Sequence, residues 1–291
     1  MAFVQAVVIG LLIGGVYALM ASGLTLVFGV LRVVNVAQGA LLILAALLTW
    51  LLWRTTGIDP ILSAVLTTPV MAGLGWLLYR GVVDRVRAAD PAMPVLATFG
   101  VALVIEGALN VTAGNTYRSA TPPYFARSFH VAGIAVPQPH LYGFAAAVVV
   151  LGALYLLLTR TWTGRAIRAT AQNPSGAALV GVGARSTAAL AFAIGVATTG
   201  AGGAVLSVLY PFYPASHYDW IAKLLGIIVL GGLGSLPGAL TGAVILGLAE
   251  TLTATYGSLR WSTLVFYLVI LVVLLVRPQG LFGARLREDA A

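Results

Sequence analysis

The 291 residues of this chain include no cysteine, which rules out disulfides and thiolate metal sites. Acidic residues are also scarce, with Asp and Glu together numbering 8 against 16 Lys and Arg. Charged residues make up 8% of the chain, where a water-soluble globular protein carries roughly 25%. A chain so poor in charge cannot cover a surface that faces water. It is 60% hydrophobic, with a mean hydropathy of +1.01, and an integral membrane protein is the simplest reading. The net charge of +8 does not argue for nucleic acid, because the basic residues are scattered between apolar runs in the manner of the positive-inside rule. No GxxxxGK[ST] phosphate loop is present, so nucleotide hydrolysis through that motif is excluded. Ser, His and Asp occur in no recognisable nucleophile setting. His130, His140 and His217 read as outer-loop residues without ligand spacing. Nothing here supports an enzyme, a metal centre or a bound cofactor.

What the chain does have is long apolar runs, at about 3–28, 39–53, 61–79, 95–112, 141–159, 188–209, 222–256 and 261–276. A membrane span takes about 20 residues at 1.5 Å rise each. The second and last runs are short, so their ends are expected to extend into the flanking residues. The first has no basic leader and exceeds the roughly 7–15 apolar residues of a signal peptide, so it is expected to stay as a span, either whole or broken at Gly14 and Gly15. The seventh is too long for one span and contains GGLGSLPG, Gly231 to Gly238, where glycines and Pro237 break a helix. The fold expected is all-α and polytopic, a single transmembrane domain over 1–291 with about eight hydrophobic segments, one of them broken or re-entrant.

Between the fifth and sixth runs lies the densest basic stretch, 160–187, with Arg160, Arg165, Arg168 and Arg185 and no acid. Asn173 followed by Pro174 reads as a helix start. Two short helices, about 163–172 and 174–182, are expected there, with Gly181 and Gly183 as stop signals. A structured basic loop between two spans suggests that something docks on it. With this loop placed in the cytoplasm, the cytoplasmic side holds eleven bases: Arg32, Arg80, Arg85, Arg87, Arg160, Arg165, Arg168, Arg185, Arg277, Arg285 and Arg287. The other side holds five: Arg54, Arg118, Arg127, Lys223 and Arg260. That bias supports an outward N-terminus and a cytoplasmic C-terminus. The same alternation makes 222–256 cross twice or dip and return at GGLGSLPG. Irregular backbone at membrane depth survives only when buried in protein or lining a wet cavity, so Gly231, Gly232, Gly234 and Pro237 are path candidates.

Other candidates each have a plain alternative. Asn35, Gln38 and Gly39 lie in VLRVVNVAQGALL; Asn35 and Gln38 share a face if helical, as a polar path lining or as an interfacial loop. Glu106, expected in mid-span, and Glu250, expected near the outer boundary, are intramembrane carboxylates that could meet a substrate ammonium or a cation, or make a hydrogen-bonded helix contact. The small-residue strings 195–206 and 238–250 read as close helix packing. The loop 113–140 is long enough for a small cap. LTLVFGVLRVVNVAQG and LGIIVLGGLGSLPG are both glycine-punctuated breaks, an echo that an inverted repeat would produce.

Four blocks resemble the permease subunits of ABC importers for branched-chain amino acids, in the family's order and nearly end to end. They are GGVYALMASGLTLVFGVLRVVNVAQGALL, GRAIRATAQNPSGAALVGV, LLGIIVLGGLGSLPGALTGAVILGLAE and LVVLLVRPQGLFG. The pattern is closer to the first of the two permease types that pair in such importers. The resemblance implies a bacterial inner-membrane, multi-pass subunit that carries no cofactor. It implies as partners a second permease subunit, two ATP-binding cassette subunits that bind the ATP, and an extracytoplasmic substrate-binding protein. It assigns a coupling helix to Asn173–Gly183, with Arg165 and Arg168 beside it and Pro174, Ala177, Ala178 and Gly181 within it. Related permeases carry urea or short amides. The competing class is an ion-coupled secondary transporter using Glu106 or Glu250.

Overall fold

The structure is a computed structural model and describes residues 1–87, 93–131 and 133–283; Arg285 and Arg287 of the charge count lie outside them. In chain order the elements are α1 (Ala2–Leu31), α2 (Gln38–Thr56), α3 (Ala64–Leu78), a π-helical turn (Tyr79–Val83), α4 (Asp84–Arg87) and α5 (Met93–Ala113). A hairpin of β1 (Ser128–Val131) and β2 (Ile134–Pro137) follows, then α6 (Gln138–Arg160), α7 (Trp162–Gln172) and α8 (Pro174–Leu179). The chain ends with α9 (Ala184–Leu209), a 3-10 turn (Pro214–Ser216), α10 (His217–Gly231), α11 (Leu236–Tyr256) and α12 (Leu259–Val276). Among the described residues, seven helices are long and apolar enough to cross a membrane: α1, α2, α5, α6, α9, α11 and α12. The 15-residue α3 is too short alone but runs on through the π turn into α4.

The fold is all-α apart from the hairpin, which lies in the loop 113–140 and whose strands pair antiparallel from Ser128↔Pro137 to Val131↔Ile134. α1 passes Gly14 and Gly15 unbroken. Both glycines are spent on packing instead: a β-carbon on Gly14 would stand 2.7 Å from the Val244 Cα of α11. Backbone approach of this kind holds membrane helices together where no hydrophobic drive exists between them.

Two helices form the axis of the core. α1 and α9 cross where Gly23 meets Gly195, and a β-carbon on either would overlap the other's carbonyl. Around this crossing the chain is arranged as two inverted halves. α11 packs antiparallel along α1, through Gly10 against Leu248, Gly14 against Val244 and Gly29 against Gly234. α3 packs antiparallel along α9, through Gly200 against Thr68 and Gly75 against Ala193, and the Thr67 hydroxyl donates to the Gly200 carbonyl at 3.1 Å. α2 and α10 both begin beside the crossing and run to opposite ends of the bundle. The structural echo is therefore between residues 32–38 and 210–217, the approaches to α2 and α10. It does not lie between 24–39 and 225–238, the two glycine-punctuated strings that look alike in sequence. GGLGSLPG is instead the turn between α10 and α11, whose counterpart is the turn between α2 and α3.

Four residues lie elsewhere than the sequence suggests. His217 is no loop residue but starts α10 and is 2% exposed. His140 lies in the first turn of α6. Lys223 leaves the loop-charge count, because it sits within α10 and pairs with Glu250. The bases that remain at that end are Arg54, Arg118, Arg127 and Arg260, so the asymmetry that motivated the orientation sharpens. Gly183, taken as a stop, is the residue on which α9 begins.

Candidate functional site

The first site is built where α2 and α10 start. α1 ends at Arg32, the described non-glycine residue with positive φ, at 54°. The chain then returns without helix to Gln38. There the Gln38 amide donates to the Gly195 carbonyl at 3.2 Å and the Asn35 amide donates to Gln38 Oε1 at 3.0 Å. Gly195 lies eleven residues into the 26-residue α9, about 16 Å along a helix of about 39 Å, so α2 begins near the middle of the bundle. Non-helical backbone at this depth needs partners, and the Val36 N–H finds one in the Thr98 hydroxyl of α5 at 3.2 Å. Gly39 fits against α10: a β-carbon there would stand 2.5 Å from the His217 carbonyl oxygen. The starts of two oppositely directed helices thus meet at mid-depth.

His217 carries the contact onward. Its Nε2 lies 3.1 Å from Glu106 Oε2 of α5, and the Tyr218 hydroxyl donates to the same oxygen at 3.0 Å. Asn35 and His217 are almost fully buried, yet Asn35 Oδ1 and His217 Nδ1 have no hydrogen-bond partner among the described residues. Asn35, Gln38, Gly39 and Glu106 are therefore brought together, with His217 as the link that sequence reasoning missed. Its signal was present in the string HYDWIAK, a polar start to an apolar helix.

The other intramembrane acid is enclosed. Glu250 accepts from Lys223 Nζ at 2.9 Å and from the Tyr17 hydroxyl at 2.7 Å. The ammonium lies 5.3, 5.7 and 5.3 Å from the ring centres of Tyr17, Trp220 and Phe266. Cation–π contact and ion pairing together satisfy both charges within the bundle.

Gly231, Gly232, Gly234 and Pro237 lie apart from this group, at the basic end. Gly232 and Gly234 take φ of 100° and 81°, which a side chain would resist, and Ser235 caps α11 by accepting from the Gly238 N–H at 3.1 Å. The C-terminal block closes over the turn: the N–H groups of Leu281 and Phe282 donate to the carbonyls of Leu230 and Gly231 at 2.8 and 2.9 Å. Gly234 and Pro237 also border an apolar cavity of about 370 Å³ between α1, α6, α7 and α11, which Arg168 borders too.

At the same end, α7 and α8 form a bent pair. Thr161 caps α7 by accepting from the Gly164 N–H at 3.0 Å, and Asn173 caps α8 by accepting from the Gly176 N–H at 2.9 Å. Ile167 anchors α7 in a cluster with Leu26, Leu154 and Leu158. Arg165 and Arg168 face outward, the former 5.6 Å from the Trp162 ring centre. Ala177 is buried, whereas Ala178 is exposed. Gly181 turns the chain with φ 83°. Leu179 and Val180, 89% and 76% exposed, are the apolar tip, and they were not singled out from the sequence. Exposed aliphatic side chains flanked by arginines on a doubly capped turn suit protein contact.

A polytopic helical bundle with inverted halves, mid-depth helix starts and a structured basic loop defines a membrane transport subunit. The chain belongs to the family described as the branched-chain amino acid transport system permease component, which matches residues 6–274. Members of that family are transport permeases, not enzymes. The chain is 28% identical to the high-affinity branched-chain amino acid transport permease LivH of Escherichia coli, over 97% of this chain and 96% of the relative. It is 26% identical to BraD of Pseudomonas aeruginosa, over the same shares. It is 24% identical to the fructose import permease FrcC of Rhizobium meliloti, over 84% of this chain and 69% of the relative. No solved structure matches.

Proposed function

We propose that this chain is one permease subunit of an ABC importer in the bacterial inner membrane, and that it carries branched-chain amino acids. The names of LivH and BraD support the substrate class. The basic end faces the cytoplasm, as the positive-inside rule requires. The single domain pairs with a second permease subunit, receives substrate from an extracytoplasmic binding protein, and is driven by two cassette subunits that bind the ATP.

The capped α7–α8 pair carries the proposal. Its arginines and its exposed Leu179 and Val180 offer a compact plug for a groove on the ATPase, and its two ends lead directly into α6 and α9. A push on the tip therefore reaches α9, the axis of the C-terminal half. At the far end of that lever is the mid-depth group of Asn35, Gln38, Gly39 and Glu106. The unpartnered Asn35 Oδ1 and His217 Nδ1 offer hydrogen bonds to water or to a zwitterion, and Glu106 offers a partner for an ammonium. Gly231, Gly232, Gly234 and Pro237 act as the hinge of the basic end, where the path opens to the cytoplasm.

The test is copurification of the ATPase with tagged chain. Leu179→Glu or Val180→Glu should abolish it while leaving a monodisperse membrane protein. These two are better probes than Ala177 or Gly181, whose burial and positive φ make any bulky replacement unfold the pair. Retention of the ATPase by both variants would sink the coupling role. Reconstituted uptake of leucine against urea then tests the substrate.

A further inference from the structure

We propose that the face formed by α5 and the first turns of α10 is the seat of the second permease subunit. The argument starts from depth. α10 is 15 residues long and ends at the basic-end turn, and its start touches Gly39 beside the α1–α9 crossing. Residues 217–222 therefore lie well inside the hydrocarbon layer. Asp219 and Ala222 are exposed there, Tyr218 is 44% exposed, and Glu106 stands next to them.

Asp219 has no ion-pair partner among the described residues. Lys223, one turn on, is turned inward to Glu250. The start of α10 favours an acid in its first turn, yet that offsets only part of what an exposed carboxylate loses in lipid. Lipid therefore does not cover this face.

The faces of α3 and α6 differ in kind. Within these helices the exposed large side chains include Val70, Leu77, Val148, Val149 and Leu156, with no charge among them, as a lipid-facing surface requires.

Depth also selects the occupant. An ATPase at the basic end and a binding protein at the other do not reach the bilayer centre, so the cover is itself membrane-spanning. The α5 surface is shaped for such a neighbour. Leu103 is 43% exposed, and nothing lies within 4 Å of where β-carbons would stand on Gly100 and Gly107, one turn to either side. A partner helix can approach the backbone there, as it could at Gly73 of α3 and Gly152 of α6, so the glycines permit the contact and the exposed Asp219 beside Glu106 selects the face. It must present a cation, a hydroxyl or enclosed water to Asp219 and Glu106, so the path runs along this seam. The inference rests on the permease reading above.

The test uses the assembled transporter in native membranes, with p-benzoyl-phenylalanine placed singly at Leu103, Ala222 or Val149. Light should yield an adduct with the second permease from Leu103 and Ala222, and none from Val149. Any other pattern overturns the assignment. Asp219→Leu should lose the second permease from the pull-down, and Asp219→Asn should keep it; a Leu variant that retains the partner at the wild-type level overturns the proposal as well. The photoadducts decide the matter if the Leu variant does not fold. Should the ATPase fail to copurify with the wild-type chain, the permease reading itself falls. Should it copurify while adducts land elsewhere, only this face is wrong.

Discussion

Glu106 and Glu250 are the same residue type at similar exposure, 17% and 19%, and they have opposite surroundings. Glu250 meets a permanent cation held by three aromatic rings, and both of its oxygens are used within the bundle. Glu106 meets a histidine and a half-exposed phenol through a single oxygen. Its other oxygen has no side-chain partner among the described residues. A carboxylate whose partners complete it is a fastener, and one left half-complete at mid-depth awaits something else. The difference lies in the partners, which no property of the acid itself reveals.

The strongest way to break the comparison is to remove the fastener. Lys223→Ala leaves Glu250 as an unpaired buried charge, a loss of about 3–5 kcal/mol for ion pairs of this kind. Thermal unfolding in detergent should show a large drop in midpoint. The double variant Lys223→Met with Glu250→Met should recover most of it, because apolar side chains of similar size fill the same space. If Lys223→Ala unfolds at the wild-type temperature, the pair is not structural and Glu250 returns as a transport residue.

Glu106→Gln tests the other half. Glutamine keeps a hydrogen-bond acceptor for Tyr218, so the midpoint should move by less than about 1 kcal/mol. Uptake should fall roughly ten- to a hundredfold, since a hydrogen bond to a charged group contributes about 1.5–3 kcal/mol. ATPase copurification should be unchanged. A stability loss equal to that of Lys223→Ala would make the two acids alike and erase the contrast.

The two acids also show how far the sequence could be read. Both were visible as carboxylates inside apolar runs, and both were open between path and packing. The choice turns on residues 111 and 27 positions away, His217 and Lys223, and tertiary pairing at that range leaves no local pattern. Helix existence was legible because composition and length dictate it in a membrane. The cap at Asn173 was equally plain, since capping is a local matter; the cap at Ser235 went unread because the glycines around it drew attention as a break. The mid-depth start of α10 was not, because 210–217 lacks the glycines that drew attention to 231–238. Depth is set by where the crossing of α1 and α9 holds the chain, which no run length encodes.

The coupling end supplies an intermediate case. Asn173 holds α8 through one bond to the Gly176 N–H. Asn173→Ala should cost about 1 kcal/mol locally, too little to lower the global midpoint by much. It should nevertheless raise ATP hydrolysed per leucine transported, because a frayed α8 transmits less of the ATPase's motion. An unchanged ratio would mean that the α8 tip is passive.

A third ion pair sets the lower bound. Arg185 Nε lies 2.5 Å from Asp84 Oδ2, with the arginine side chain 70% exposed and the aspartate 10%; water reaches this pair from the arginine's side alone. It ties the start of α9 to α4, and thus the two inverted halves to each other at the basic end. Water screens a pair so placed, and its contribution is about 0–1 kcal/mol. Asp84→Asn should therefore leave the unfolding midpoint within that range, although the partners are as close as those of Lys223 and Glu250. Distance alone would rank the two pairs as equals, and so would the burial of their acids; the exposure of the cation, 70% for Arg185 against 16% for Lys223, separates them. A midpoint drop matching that of Lys223→Ala would show that burial is not what distinguishes the charged contacts of this bundle. The assignment of Glu250 as a fastener, and of Glu106 by contrast as a path residue, would lose its footing.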